Sequence, residues 1–208
     1  MEQLDIFGGI DLGKTLLADL VDYEPCLFSK TESDRLLRNF IADTPWEQRS
    51  VLMYGKEVIT PRLTAWFGDA DADYSIAGNG PAPLKWTDDL LFVRERVEKM
   101  SGVKFNSVLL NYYRDGNDSV AWHDDMDNTP GRNKTVASVS FGEVRMFDIR
   151  NKADHNIKFS IPLQNGSYLL MKGDFQQDWQ HRIAKSTKAL KSRVNLTFRI
   201  SRKKDDVL

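Results

Sequence analysis

A single cysteine, Cys26, among 208 residues excludes an internal disulfide framework and a thiolate-rich zinc site, and fits a reducing compartment. Histidine is nearly as scarce, with three in the chain, so a histidine-built metal site has few ways to be assembled. No apolar run approaches the ~20 residues that a membrane-spanning helix needs. The opening residues, Met1 to Gly9, lack a basic stretch followed by an apolar one. The expectation is a soluble cytoplasmic chain (nuclear if the source is eukaryotic) without a membrane partner. Repeats and low-complexity tracts are missing too. Neither sign of charge is in excess: 29 basic side chains meet 30 acidic ones, which argues against a tight, non-specific coat on duplex nucleic acid. What is present is ordinary for a globular protein, with 41% hydrophobic residues. The length favours one domain, 1–208, burying roughly 70% of its unfolded surface.

The even balance hides an asymmetry. Residues 1–100 carry 11 Lys/Arg and 18 Asp/Glu, whereas residues 101–208 carry 18 and 12. From Lys185 to Lys204 there are eight basic residues and no acid. Such a segment can neutralise phosphates and steer a polyanion, or it can be a solvated strand and tail.

The first half reads as short helices and loops. Thr31 or Ser33 is placed to cap a helix whose apolar positions are Leu36, Leu37, Phe40 and Ile41, ending before Pro45. A second helix is expected from about Asp88 to Met100, with Leu90, Val93, Val97 and Met100 on one face and Gly102 as its stop. Between them, Tyr54 to Pro83 is rich in Gly, Pro and Asp and carries Trp66, Phe67 and Tyr74. From Lys104 onward short alternating strands take over, as in Ile157, Phe159 and Ile161. Turn signals fall at Asp115-Gly116-Asn117, Thr129-Pro130-Gly131 and Gln164-Asn165-Gly166. Many short strands between turns predict a barrel or jelly roll with helices packed outside, an α+β fold.

Gly8-Gly9-Ile10-Asp11-Leu12-Gly13-Lys14-Thr15 satisfies a phosphate-loop pattern. Its context is wrong: Asp11 would set a carboxylate inside an anion cradle, and the later strands do not alternate with helices as a parallel sheet requires. A surface loop is the better account.

Trp122-His123-Asp124-Asp125 carries more chemistry. On a strand, residues two apart face the same way, so His123 and Asp125 can share one metal ion. With a second histidine they form the two-His-one-carboxylate set that binds Fe(II) and leaves positions open. The third ligand is then His155 or His181. His155 sits in a polar turn by composition, whereas His181 follows a strand at Ser167–Lys172 and the approach Asp178-Trp179-Gln180, which favours it. Trp122 and Trp179, flanking the ligands, are expected on the outer face of the barrel.

Along Arg193–Ile200, Val194, Leu196, Phe198 and Ile200 occupy one face, and Arg193, Asn195, Thr197 and Arg199 the other. If the apolar face packs under the helices, two guanidiniums point into the barrel. Buried charge without a partner is costly, so an anion must meet them: buried Asp or Glu, or a dicarboxylate ligand suited to bidentate arginine. The alternative is a half-exposed strand with wet arginines.

In order, Asn111-Tyr112-Tyr113-Arg114-Asp115-Gly116, His123-x-Asp125, Ala137-Ser138-Val139-Ser140-Phe141-Gly142, Asp178-Trp179-Gln180-His181 and Arg193-Val194-Asn195-Leu196-Thr197-Phe198-Arg199 closely resemble the AlkB family of Fe(II)/2-oxoglutarate-dependent dioxygenases. Pro61-Arg62-Leu63-Thr64-Ala65-Trp66 and Phe105-Asn106-Ser107 resemble its branch that repairs alkylated nucleic acid. The resemblance implies a double-stranded β-helix (jelly-roll) core at 104–202, preceded at 1–103 by helices and lid elements for nucleotide recognition. His123, Asp125 and His181 would ligate iron, and Asn111, Tyr113, Arg193, Asn195, Thr197 and Arg199 would hold 2-oxoglutarate. Tyr54, Gly55 and Lys56 match a finger that probes the extruded base, Tyr74 a stacking lid aromatic, and Asp127 an acid near the methylated base. Met126 departs from the polar residue usual in close relatives. The implied activity is oxidative demethylation of bases such as 1-methyladenine and 3-methylcytosine in DNA by a monomer. It uses Fe(II), O2 and 2-oxoglutarate and releases formaldehyde, succinate and CO2. Alternatives are RNA or a protein side chain as substrate, or a non-catalytic metal- or nucleic-acid-binding module.

Overall fold

Two antiparallel sheets of unequal width form the centre of the computed structural model, which describes residues 18–53, 56–73, 82–125 and 135–203, with only the backbone at 51–53, 56, 57, 73, 202 and 203. The phosphate-loop pattern at Gly8–Thr15, Tyr54, Gly55, Tyr74, Met126, Asp127 and the turn at Thr129-Pro130-Gly131 lie outside the described residues, and Lys56 is described by its backbone alone.

Helix α1 runs Lys30–Asp43, but its cap is Ser29 rather than Thr31 or Ser33. Ser29 is followed three residues later by Glu32, so hydroxyl and carboxylate each accept the other residue's backbone N–H. Thr31 also has an acid three residues on, Asp34, but that carboxylate is taken by Lys30 and Asn165. Ser33 instead turns inward, fully buried, and donates to the Phe28 carbonyl. Helix α2, Asp88–Ser101, begins at a Thr87 cap and ends at Gly102, whose φ of +70° suits a residue without Cβ. Leu90, Val93 and Val97 are buried as expected, whereas Met100 is 49% exposed. In the last turn the inward place goes to Glu98, which accepts from Phe105 N–H and pairs with Arg94 and Lys104.

The strands are β1 Val21–Glu24, β2 Ser50–Met53, β3 Lys56–Ile59, β4 Leu63–Gly68, β5 Ala72–Asp73, β6 Ser107–Tyr113 and β7 Val120–His123. They continue as β8 Val136–Gly142, β9 Arg145–Asn151, β10 Lys158–Leu163 and β11 Ser167–Met171. A short helix α3, Phe175–Asp178, then precedes β12 Trp179–Ile183, β13 Arg193–Arg199 and β14 Arg202–Lys203. The larger sheet has the order β1-β11-β8-β13-β6-β4 and the smaller β10-β9-β12-β7; β2-β3 and β5-β14 form two-stranded ribbons. This is the jelly-roll arrangement, with α1 and α2 against one face of the larger sheet. Strands β1 and β4, from the part of the chain before residue 104, are the two ends of that sheet. The β10–β11 turn needs Gly166: its φ is +84°, and a Cβ there would meet the Phe28 carbonyl at 2.5 Å.

Alternation sorts side chains into two cores. Val194, Leu196 and Phe198 of β13 pack with Leu36, Phe40, Leu90, Val93 and Val97 on the helix side. Between the sheets lie Tyr113, Leu169 and Met171 from one sheet and Phe147, Ile149, Phe159, Trp179 and Ile183 from the other. Two expectations, for Trp179 and Ile157, are corrected here. Trp179 shares the inner face of β12 with His181 and Ile183, its ring 5.8 Å from Phe159, because residues two apart on a strand face one way. Trp122 does lie outside, with the guanidiniums of Arg150 and Arg182 at 4.3 and 4.5 Å from its ring. Ile157 precedes β10 and is 41% exposed, so the buried alternation starts at Phe159. Trp66 and Phe67 are core residues, at 3% and 4% exposure.

Candidate active site

Antiparallel pairing of β7 with β12 sets His123 directly opposite His181, leaving their ring centroids 4.3 Å apart. Asp125 follows two residues after His123, and the ligand atoms of the three lie within 4.8 Å of one another. His155 is exposed in the turn between β9 and β10 and is no part of this cluster. His123 Nδ1 lies 2.9 Å from the Ala121 carbonyl; with the proton there, Nε2 keeps its lone pair toward Asp125, 3.8 Å away. His181 is 5% exposed, stacks on Phe147 at 4.9 Å and has Nε2 3.6 Å from the Asp125 carboxylate. Burial lowers its pKa to about 3 against the opposing pull of Asp125, so the ring is neutral at physiological pH. For Asp125, burial raises the pKa, but the Arg199 guanidinium, the two imidazoles and Arg62 outweigh it and hold it at about 2. The cluster therefore presents two imidazoles and one carboxylate, a donor set fit for a divalent transition metal.

The cluster sits in a cavity of about 220 Å³ between the sheets, which also takes in Asn111, Tyr113, Arg193, Asn195, Thr197 and Arg199. The cavity-facing side of β13 thus carries two guanidiniums, and they are treated differently. Arg199 donates to Asp125 Oδ1 at 2.5 Å, so a residue of the chain meets it rather than leaving it free for a ligand. Arg193 is 1% exposed; one nitrogen donates to Ser140 Oγ at 2.9 Å and its carbon lies 5.0 Å from the Tyr113 ring centre. Among the described residues its Nε and other Nη make no hydrogen bond, and burial pulls its pKa down. A buried guanidinium with two unsatisfied nitrogens fits a carboxylate. Asn195 and Thr197 are already engaged, Asn195 Nδ2 with Ser138 and the Val139 carbonyl and its Oδ1 with Thr197. Asn111 Oδ1 accepts from Arg62 Nε at 2.8 Å.

A family model, 2OG-Fe(II) oxygenase superfamily, matches residues 21–199. The chain is 40% identical over 176 residues to alpha-ketoglutarate-dependent dioxygenase alkB homolog 3 of Rattus norvegicus, covering 81% of this chain and 59% of the relative. It is 33% identical over 183 residues to DNA oxidative demethylase ALKBH2 of Mus musculus, covering 83% and 77%. The chain belongs to the AlkB family. It spans about three fifths of the alkB homolog 3 relatives' length. A solved structure of OsALKBH1 has the same fold, with a TM-score of 0.60 at 15% identity, covering 86% of this chain and 97% of that one.

AlkB-family membership implies Fe(II), 2-oxoglutarate and O2, and the residues fit: a His-Asp-His donor set beside an unpartnered buried guanidinium. Sequence reasoning missed several contributors to this AlkB-family cavity. Arg62 and Ser140 stood within quoted motifs without a role, although the alternation that singled out β13 also places Ser138 and Ser140 on the cavity side of β8. Arg145, buried and donating to the carbonyls of Asp115, Asp118 and Ala184, holds the ends of the loops behind Tyr113. Gln176, bonded to the backbone of Asp125, had no local signal.

Proposed function

We propose that this chain oxidatively demethylates N-alkylated bases in DNA, of the 1-methyladenine and 3-methylcytosine type, with Fe(II), 2-oxoglutarate and O2. The observation that carries the reading is the buried Arg193, two of its nitrogens without a hydrogen-bond partner among the described residues, in one cavity with a His-Asp-His cluster. The names of the two relatives, a dioxygenase and a DNA oxidative demethylase, support the same reaction class.

His123, Asp125 and His181 would hold the iron, and Arg193, with Ser140 and Tyr113 behind it, the far carboxylate of 2-oxoglutarate. Asn111, Asn195, Thr197 and Arg199 complete the co-substrate wall. When bound, iron and its co-substrates supply the oxidation of an N-methyl C–H bond, with formaldehyde, succinate and CO2 as products. The chain's own part is placement and charge. Arg199 fixes one oxygen of Asp125, and the Ala121 carbonyl orients His123. Phe147, Leu163 and Ile183 form an apolar wall beside these charged groups, which strengthens the charge interactions it borders. Tyr54, Gly55, Lys56, Tyr74 and Asp127 are assigned to base recognition on the resemblance. The target base must leave its stack to reach the cavity, and an alkylated base that pairs poorly does so more cheaply. A monomer suffices, since one chain supplies the whole cluster, and its place of work is where nucleic acid lies, cytoplasm or nucleus.

The test is anaerobic loading with Fe(II) and 2-oxoglutarate, then O2 and methylated oligonucleotides. Formaldehyde and succinate in equal amounts from methylated DNA are expected. Succinate release without formaldehyde from any methylated DNA would overturn the substrate, a response to RNA alone would move it there, and no succinate at all would leave a binding module.

A further inference from the structure

The iron-binding reading leaves one buried polar side chain beside the cluster without a part to play. Gln176 lies in the four-residue helix α3, five residues before His181, and is 1% exposed. Its Oε1 accepts the backbone N–H of Asp125 at 2.8 Å, and its Nε2 donates to the sulfur of Met171, a cavity-wall residue, at 3.4 Å. Its own carbonyl accepts from Lys152 Nζ at 2.9 Å, and the same ammonium pairs with Asp124 at 2.7 Å. Gln176 and Lys152 thus clasp both residues that follow His123.

The clasp stands where the sheet stops. Strand β7 ends at His123, so Asp125 lies beyond the ladder and its N–H has no strand partner. A carboxylate ligand needs a fixed peptide as well as a fixed side chain. Arg199 restrains the side chain, and Gln176 restrains the peptide. Because Gln176 belongs to the segment that delivers His181, one short stretch of chain sets the position of two of the three ligands relative to each other.

We propose that Gln176 is a positioning residue that aligns Asp125 with His181 for metal binding, with Lys152 as its brace; this rests on the reading of the cluster as a metal site. Groups behind metal ligands act by holding ligand geometry, and their loss costs about 10–100-fold in metal affinity. Gln176→Met keeps the length and the packing against Met171 but leaves the half-buried Asp125 N–H without this partner. Gln176→Glu keeps an oxygen that can accept.

The experiment measures Mn(II) binding by electron paramagnetic resonance and calorimetry without 2-oxoglutarate, with melting of the metal-free proteins in parallel. Gln176→Met should bind roughly 10–100-fold more weakly, with an altered Mn(II) spectrum, while Gln176→Glu stays within about threefold of the original. A merely structural glutamine would lower the melting temperature and leave affinity and spectrum alone. Unchanged binding by Gln176→Met, or equal losses in both variants, would overturn the proposal. If Gln176→Met does not fold, Lys152→Met decides: weaker binding supports the clasp, and binding equal to the original overturns it. Failure of the unsubstituted protein to bind Mn(II) would instead sink the metal-site reading beneath it.

Discussion

The two faces of β13 are built from alternate residues of one seven-residue strand and obey opposite rules. Toward the helices, Val194, Leu196 and Phe198 are wholly buried among apolar side chains. Toward the cavity, Arg193 is almost as buried, yet two of its nitrogens lack partners among the described residues. Apolar burial stabilises the fold whatever else is bound. A buried guanidinium costs stability until an anion arrives, because charge taken out of water must be repaid by pairing. The helix-side face therefore supplies the stability that the cavity-side face spends.

Four substitutions test this contrast. Asp125→Ala should reduce iron-dependent turnover to background, as measured by formaldehyde release, and should also free Arg199 from its carboxylate; turnover near the original level would remove Asp125 from the metal site. Phe198→Ala, on the helix side, should cost about 3–5 kcal/mol in denaturant unfolding without changing 2-oxoglutarate affinity per folded molecule. A loss below about 1 kcal/mol would mean that the helix-side core does not carry the fold as argued.

Arg193→Met should do the reverse. The apparent 2-oxoglutarate requirement should rise at least about tenfold, equivalent to about 1.4 kcal/mol, while the unliganded protein becomes no less stable. The original protein should also gain about 2.7 kcal/mol of stability at a hundredfold excess of co-substrate over its Kd, and the variant should lose that gain. Destabilisation of unliganded Arg193→Met would show the guanidinium to be structural.

The smallest effect concerns α1, far from the cavity. Hydrogen bonds from Arg96, then from the Ser29 backbone and hydroxyl, lower the Glu32 pKa from 4.5 to about 2. A carboxyl with a depressed folded pKa contributes stability that is complete above the unfolded value and lost as pH falls from about 4.5 toward 2. Glu32→Gln should flatten that acid segment of the stability curve and lower stability near neutral pH by the amount the original loses across that segment; an unaltered acid slope would refute the pairing.

Features that live within a few residues were legible in advance. The His123-x-Asp125 spacing needs only strand geometry, and the alternation of β13 needs only the pleat. The cap of α1 was only half legible: Ser29-x-x-Glu32 and Thr31-x-x-Asp34 both carry a capping-box spacing, and the point at which the chain turns into the helix selects Ser29. Legibility failed with distance. Nothing near position 199 says that its guanidinium closes on Asp125, 74 residues earlier, while Arg193 meets Ser140 and the Tyr113 ring. Trp179 is the opposite case: standing two residues before the inward His181, it faces inward by the pleat alone, so its place was open to the same local reasoning.

Residue types and short-range periodicity therefore settled the donor chemistry, the polar and apolar faces and the jelly-roll class, because backbone geometry repeats every two residues in a strand and every 3.6 in a helix. Sheet pairing settled which histidine joins His123, which arginine is neutralised and which is left waiting, and how Gln176 reaches Asp125. Those are contacts between segments far apart in the chain, and only packing of the sheets against each other brings them within a few ångströms.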